Sequence, residues 1–193
     1  MRRVCVYAGS NPGSDPAYAD AARALARLMA KRQIGLVFGG GKVGLMGVLA
    51  DTILAAGGEA IGVMPQALID REIGHPNLTE LKVVDSMHER KALMAELADG
   101  FVAVPGGIGT LEELIEVYTW SQLGIHDDPC GVLNTRGYYD GLASFLDHAV
   151  QEGFLRPQHR ATLFVAEDPG ELLDAMAEFT PPRVGKWLEL DQT

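Results

Sequence analysis

Cysteine is scarce: Cys5 and Cys130 are the two in 193 residues, too few for a disulfide framework. No CxxC pair or Cys/His cluster offers zinc ligands, and His75, His88, His126, His148 and His159 show no ligand spacing; no metal is expected. Basic residues are outnumbered, 16 against 26 acids, for a net charge of −10. Nucleic-acid affinity normally rests on a basic face, so no nucleic-acid partner is expected, although one local basic site for a small anion stays open. No apolar run approaches the roughly 18 residues of a membrane helix. The basic start Met1-Arg2-Arg3 leads into an apolar run that ends by Gly9-Ser10-Asn11-Pro12, too short for a secretory signal core. A soluble cytoplasmic protein with no membrane partner is the expectation. G-x-S-x-G is also missing, which removes the nucleophile elbow of a Ser-His-Asp hydrolase.

What is present suits one globular domain. With 47% apolar and 22% charged residues, composition excludes wholesale disorder, collagen and coiled coil, and at this length roughly 70% of the unfolded surface can be buried. We read residues 1–193 as a single domain, with a tail of uncertain structure from about residue 180. Short apolar runs alternate with amphipathic stretches. Strands are expected at 4–8, 34–38, 60–63, 78–84, 101–104, around Val132 and Leu133, and at 163–165. Helices are expected at 15–32, 45–56, 86–98, 110–123, 138–151 and 169–179, with 66–77 mostly loop. Such alternation predicts βαβ units: an α/β, Rossmann-like, doubly wound parallel sheet with helices on both faces. Ligands in such sheets sit outside the carboxyl ends of the strands, where both glycine-rich loops of this sequence fall.

The first loop, Gly39-Gly40-Gly41-Lys42-Val43-Gly44, formally matches the dinucleotide pattern G-x-G-x-x-G. That pattern wants an acid ending the next strand, whereas Glu59 precedes it. The loop is either a tight packing turn or a set of backbone amides near an anion. The second, Pro105 to Glu113 (PGGIGTLEE), joins three glycines to a helix start, an arrangement suited to phosphate. A competing account makes Thr110-x-x-Glu113 a capping box, with Thr110 as N-cap. Ser86-Met87-His88-Glu89-Arg90-Lys91 holds another capping box, Ser86 with Glu89. Arg90 and Lys91 do not fit that account, because cations near a helix N-terminus oppose its dipole. Arg90 also shares a helical face with Leu93, Met94 and Leu97, so it either snorkels or meets a buried anion.

PGGIGTLEE, SMHERKA and FGGGKVGLMG together, with CVYAGSNPG before them and TWSQLGIH after, closely resemble the LONELY GUY (LOG) family. The likeness spans about residues 4–165. The family's members are phosphoribohydrolases of cytokinin riboside 5′-monophosphates, many carrying the label "possible lysine decarboxylase". The resemblance implies hydrolysis of a purine nucleoside 5′-monophosphate, AMP included, to free base and ribose 5-phosphate. It implies no cofactor and a homodimer with sites near the interface. It makes Arg90 and Glu113 the catalytic pair, and Glu72, Arg90, Lys91, Gly107, Ile108, Gly109, Thr110, Leu111, Glu112, Glu113 and Thr119 the nucleotide-binding set. Ser10, Gly40, Gly41 and Met87 are further candidate contacts. A pyridoxal decarboxylase would need a Schiff-base lysine, and only Lys31, Lys42, Lys82, Lys91 and Lys186 are available. The rival readings are a non-catalytic nucleotide carrier or sensor of the same superfamily, and an NAD-dependent enzyme using residues 39–44.

Overall fold

The order of strands in the sheet decides where a ligand can sit. In the computed structural model, which describes residues 1–70 and 74–182, seven strands form one sheet. They are β1 (Arg3–Tyr7), β2 (Gly35–Phe38), β3 (Ala60–Pro65), β4 (Glu80–Val84), β5 (Phe101–Ala103), β6 (Cys130–Leu133) and β7 (Leu163–Ala166). Their order is β4-β3-β2-β1-β5-β6-β7, and every pairing is parallel. From β1 the chain winds outward to β4, then crosses back to β5 and winds the other way. The reversal opens a crevice at the carboxyl ends of β1 and β5. This is the α/β architecture expected from the alternation of strands and helices.

The helices are α1 (Pro16–Lys31), α2 (Gly44–Ala55), α3 (Gln66–Ile69), α4 (Met87–Glu96), α5 (Ile108–Gln122), α6 (Asp140–Gln151), α7 (Pro157–Arg160) and α8 (Pro169–Ala177). Helices α1, α2 and α8 cover one face through Leu25, Met29, Leu49, Ile53 and Leu172. Helices α4, α5 and α6 cover the other through Met94, Leu114, Val117, Tyr118 and Leu146. The helix starts are written locally. Asp15 Oδ1 accepts from the Ala17 amide at 2.9 Å with Pro16 next, and Asp168 Oδ1 accepts from Gly170 and Glu171 with Pro169 next. Each acid occupies orphan amides of a first turn. The central strands are buried on both faces, whereas edge strand β4 carries Glu80 paired to Lys82, charges that blunt an open edge. Residues 66–69, expected as loop, form the one-turn helix α3, and α7 was not expected at all.

Candidate active site

Arg90 lies in the first turns of α4, whose N-cap Ser86 accepts from the Glu89 amide at 3.1 Å. Its side chain crosses the ends of β2 and β3. Nε donates to the Val63 carbonyl at 3.1 Å, and Nη1 sits 3.2 Å from Glu113 Oε1. The guanidinium lies against Gly39, where a Cβ would fall 1.9 Å from Nη2. The two charged side chains are only 11% and 12% exposed, so each depends on the other for the charge stabilisation that water would supply. Burial pushes the Glu113 carboxyl above its ordinary range, while the Arg90 cation pulls it back down. Beneath lie Cys5 and Tyr7, both buried, whose thiol and phenol are held neutral chiefly by desolvation.

The glycine loop corrects one sequence expectation. Helix α5 starts at Ile108, with Gly107 as an extended N-cap, φ −91° and ψ −156°. The first helical bond runs from the Leu111 amide to the Gly107 carbonyl at 3.2 Å. Thr110 is therefore the third residue inside the helix, 5% exposed, and not its N-cap. The capping account of Glu113 fails with it: Glu113 is the sixth residue of the helix, beyond the third position from which a side chain reaches back to the cap, and its carboxylate pairs with Arg90 instead. A helix that starts this early leaves the amides of residues 107–110 without intrahelical partners. Gly106 has no alternative: a Cβ there would lie 2.1 Å from Thr110 Oγ1 and 2.8 Å from the Gly9 amide nitrogen.

The other expected residues distribute around this centre. Lys91 is almost buried and bonds Glu112 at 2.5 Å and Glu116 at 3.0 Å, tying α4 to α5. Its pKa is raised, first by the hydrogen bond it donates to Glu112. Thr119 lies six residues beyond Glu113, about 9 Å farther along the helix axis, with its hydroxyl on the Ile115 carbonyl at 2.7 Å. Gly107, Ile108, Gly109 and Thr110 form the loop and helix start; Ile108 is 88% exposed, and Leu111 is exposed beside it. Met87 Sδ stands 3.9 Å from Arg90 Nη1. Gly40, with φ +75°, passes its carbonyl to the His75 amide at 2.8 Å, and Gly41 bridges to Gly74. Glu72 lies outside the described residues. Glu59 bonds Arg3 at 2.8 Å at the amino end of the sheet, so the acid that a dinucleotide site requires is at the wrong end.

Two tyrosines escaped the sequence reading. A pocket of about 280 Å³ opens at the β1/β5 crevice, lined by Ser10, Asn11, Tyr18, Gly107 and Tyr138 among others. The Tyr138 hydroxyl donates to the Gly106 carbonyl, and that of Tyr139 donates to Val104 at 2.8 Å. The only local signal was an aromatic pair in the turn after a strand.

The chain is similar to known proteins. The family model described as "possible lysine decarboxylase" matches residues 46–176. The probable cytokinin riboside 5′-monophosphate phosphoribohydrolase LOGL2 of Oryza sativa subsp. japonica is 50% identical over 181 residues, 94% of this chain and 74% of its own. Cytokinin riboside 5′-monophosphate phosphoribohydrolase LOG1 of Arabidopsis thaliana is 47% identical over 94% of this chain and 85% of its own. The chain belongs to the LOG family. Among solved structures, the molybdenum cofactor binding protein of Rippkaea orientalis superposes with a TM-score of 0.68 at 20% identity, covering 92% of this chain and 96% of that one. At that identity the likeness is one of fold.

A pyridoxal cofactor, which the decarboxylase description would imply, does not fit this LOG-family chain. Lys31 and Lys42 are exposed, Lys82 pairs with Glu80, and Lys91 is held as an ammonium between two carboxylates. A Schiff-base lysine must reach its neutral form, the opposite of what surrounds Lys91. Lys186 lies outside the described residues. Among the described residues, no group of three His, Cys, Asp or Glu is placed to hold a metal ion, and no helix is long and apolar enough to cross a membrane.

Proposed function

We propose that this chain hydrolyses the N-glycosidic bond of a purine nucleoside 5′-monophosphate of the cytokinin type, AMP included, giving free base and ribose 5-phosphate. The observation that carries this reading is the nearly desolvated Arg90–Glu113 pair beside the open amides of residues 107–110. Those amides, at the positive end of α5, take the 5′-phosphate. As the bond from ribose C1′ to the base breaks, its electron pair leaves with the base and positive charge builds on the sugar, as in glycoside hydrolysis. The Glu113 carboxylate stabilises that charge and orients the water whose oxygen bonds to C1′. One water proton is released and one proton ends on the base. Arg90 keeps Glu113 ionised and aimed. Glu72, Lys91 and Thr119 complete the nucleotide set, with Ser10, Gly40, Gly41 and Met87 as outer contacts.

The reaction uses no metal and no cofactor, and the enzyme works in the cytoplasm as a homodimer joined through α4 and α5. Purified protein incubated with AMP is expected to release adenine and ribose 5-phosphate, undiminished by EDTA, and to act far more slowly on adenosine. Binding of AMP without release of base indicates a carrier, and turnover that requires NAD indicates an oxidoreductase. Equal turnover of AMP and adenosine overturns the role given to the glycine-loop amides.

A further inference from the structure

The turn after β6 grips the glycine loop at a point the reaction above leaves unused. Four successive carbonyls, of Val104, Pro105, Gly106 and Gly107, each accept a hydrogen bond. Their donors are the Tyr139 hydroxyl at 2.8 Å, the Gly9 amide at 3.2 Å, the Tyr138 hydroxyl, and the Leu111 amide at 3.2 Å. Two of these clamps are backbone, and two are side chains of consecutive tyrosines. Tyr139 is 5% exposed, a core clamp, whereas Tyr138 is 44% exposed and forms part of the pocket wall.

The turn that presents Tyr138 is held in an uncommon shape. Arg136 has φ +57°, a conformation non-glycine residues keep only when their surroundings enforce it. Here Asn134 Oδ1 accepts from the Tyr139 amide at 2.6 Å, Asn134 Nδ2 donates to Asp140 at 2.8 Å, and Arg136 Nε meets Asp15 at 3.2 Å. Tyr18 packs edge-on to the Tyr138 ring at 5.7 Å.

We propose that Tyr138 is a positioning residue for recognition of the substrate's phosphate. A peptide unit is planar, with its carbonyl and the following N–H pointing opposite ways. Fixing the Gly106 carbonyl therefore fixes the direction of the Gly107 amide, the first of the open amides at the α5 start. Glycine at 106 and 107 gives that plane freedom to rotate, and Tyr138 supplies the side-chain bond that removes it. This inference rests on the reading of residues 107–110 as the phosphate site.

Tyr138→Phe keeps the aromatic wall and deletes one hydroxyl. The expected result is a KM for AMP raised about five- to tenfold, the worth of one hydrogen bond, with kcat within about twofold and turnover of adenosine unchanged. Calorimetric affinity for ribose 5-phosphate falls by the same factor. Tyr139→Phe, its buried neighbour, lowers Tm instead and leaves the preference for AMP over adenosine intact. An unchanged KM and ribose 5-phosphate affinity in Tyr138→Phe overturns the proposal, and so does an equal loss on AMP and adenosine. Wild type that binds ribose 5-phosphate but releases no adenine refutes the hydrolase reading, and the affinity ratio then decides Tyr138 alone. Wild type that releases adenine but does not bind ribose 5-phosphate overturns the phosphate site at residues 107–110 and the role of Tyr138 with it.

Discussion

Burial raises the pKa of the Glu113 carboxyl and the cation facing it pulls it back, so Arg90 bears on the pH range in which the site works. Burial is the larger influence and raises the Glu113 pKa above 4.5; Arg90 opposes it. Activity that needs the carboxylate falls as pH drops through that raised value, so the acid limb of kcat/KM is expected above pH 4.5. Arg90→Met removes the opposing cation, and the limb should move to higher pH while turnover at neutral pH drops. A limb that stays in place in Arg90→Met shows that another group titrates. For stability the sign is the reverse of the usual surface acid. The folded state holds this proton more tightly than the unfolded chain, so stability contributed by the protonated form is lost as pH rises from the unfolded pKa through the folded one. Glu113→Gln removes that cost and still accepts from Arg90. It also leaves the buried Arg90 guanidinium without its counter-charge, so the two effects oppose, and it is expected to melt near the wild-type temperature at pH 7, to bind AMP, and to lose most of its turnover. Retention of more than about a tenth of kcat, under about 1.4 kcal/mol of barrier, would turn attention to Glu112.

At the scale of elements, Arg90 reaches Glu113 because the turn at Gly39 leaves room for it. Gly39 has no positive φ, and the guanidinium of Arg90 occupies the space its missing Cβ would take. Alanine there fits the backbone but displaces the guanidinium. Gly39→Ala should therefore lower kcat at least about tenfold with a Tm near wild type, measured by calorimetry and AMP turnover together. Gly44 is the contrast: its φ is +61°, and a Cβ would lie 2.3 Å from the Ser10 carbonyl carbon. Gly44→Ala combines left-handed strain of about 1–2 kcal/mol with a backbone clash. A loss of several degrees in Tm is expected at about 2–4 °C per kcal/mol for a chain this size.

The same glycines mark how far the sequence could be read. The parallel sheet was legible because doubly buried strands are continuous apolar runs, and both loops were legible because glycine punctuates them. Strand ends were not: β3 runs to Pro65, paired beside Val84 of β4, where proline suggested a stop at 63. The start of α5 was misplaced because Gly107, unlike threonine, caps through backbone shape alone. Contacts such as Gly39 with Arg90, or Tyr138 with Gly106, join distant stretches of chain, and no local pattern encodes them.

For the whole molecule, the α4–α5 side carries a group of exposed apolar side chains around an apolar groove. Met87, Leu111, Leu123 and Ile125 are exposed, Ile125 by 64%, and Ala92, Ala95, Phe101 and Trp120 line a groove beside Ile125. The α6 side offers a second apolar surface, with Phe145 and Phe154 exposed. If the first surface joins two copies, Thr119, far along α5 from Glu113 in its own chain, faces the second copy, and its place in the nucleotide set is understood as a contact across the interface. Light scattering at micromolar concentration is then expected to give a mass near twice 20.7 kDa. Ile125→Glu should give monomers, because an unpaired carboxylate buried in an apolar contact is costly, and those monomers should lose AMP turnover while keeping their melting transition. Phe154→Glu should do neither. Monomeric wild type overturns the dimer, and dissociation by Phe154→Glu in place of Ile125→Glu moves the interface to α6. Full turnover in a monomeric Ile125→Glu protein confines the nucleotide site to one chain and removes Thr119 from it.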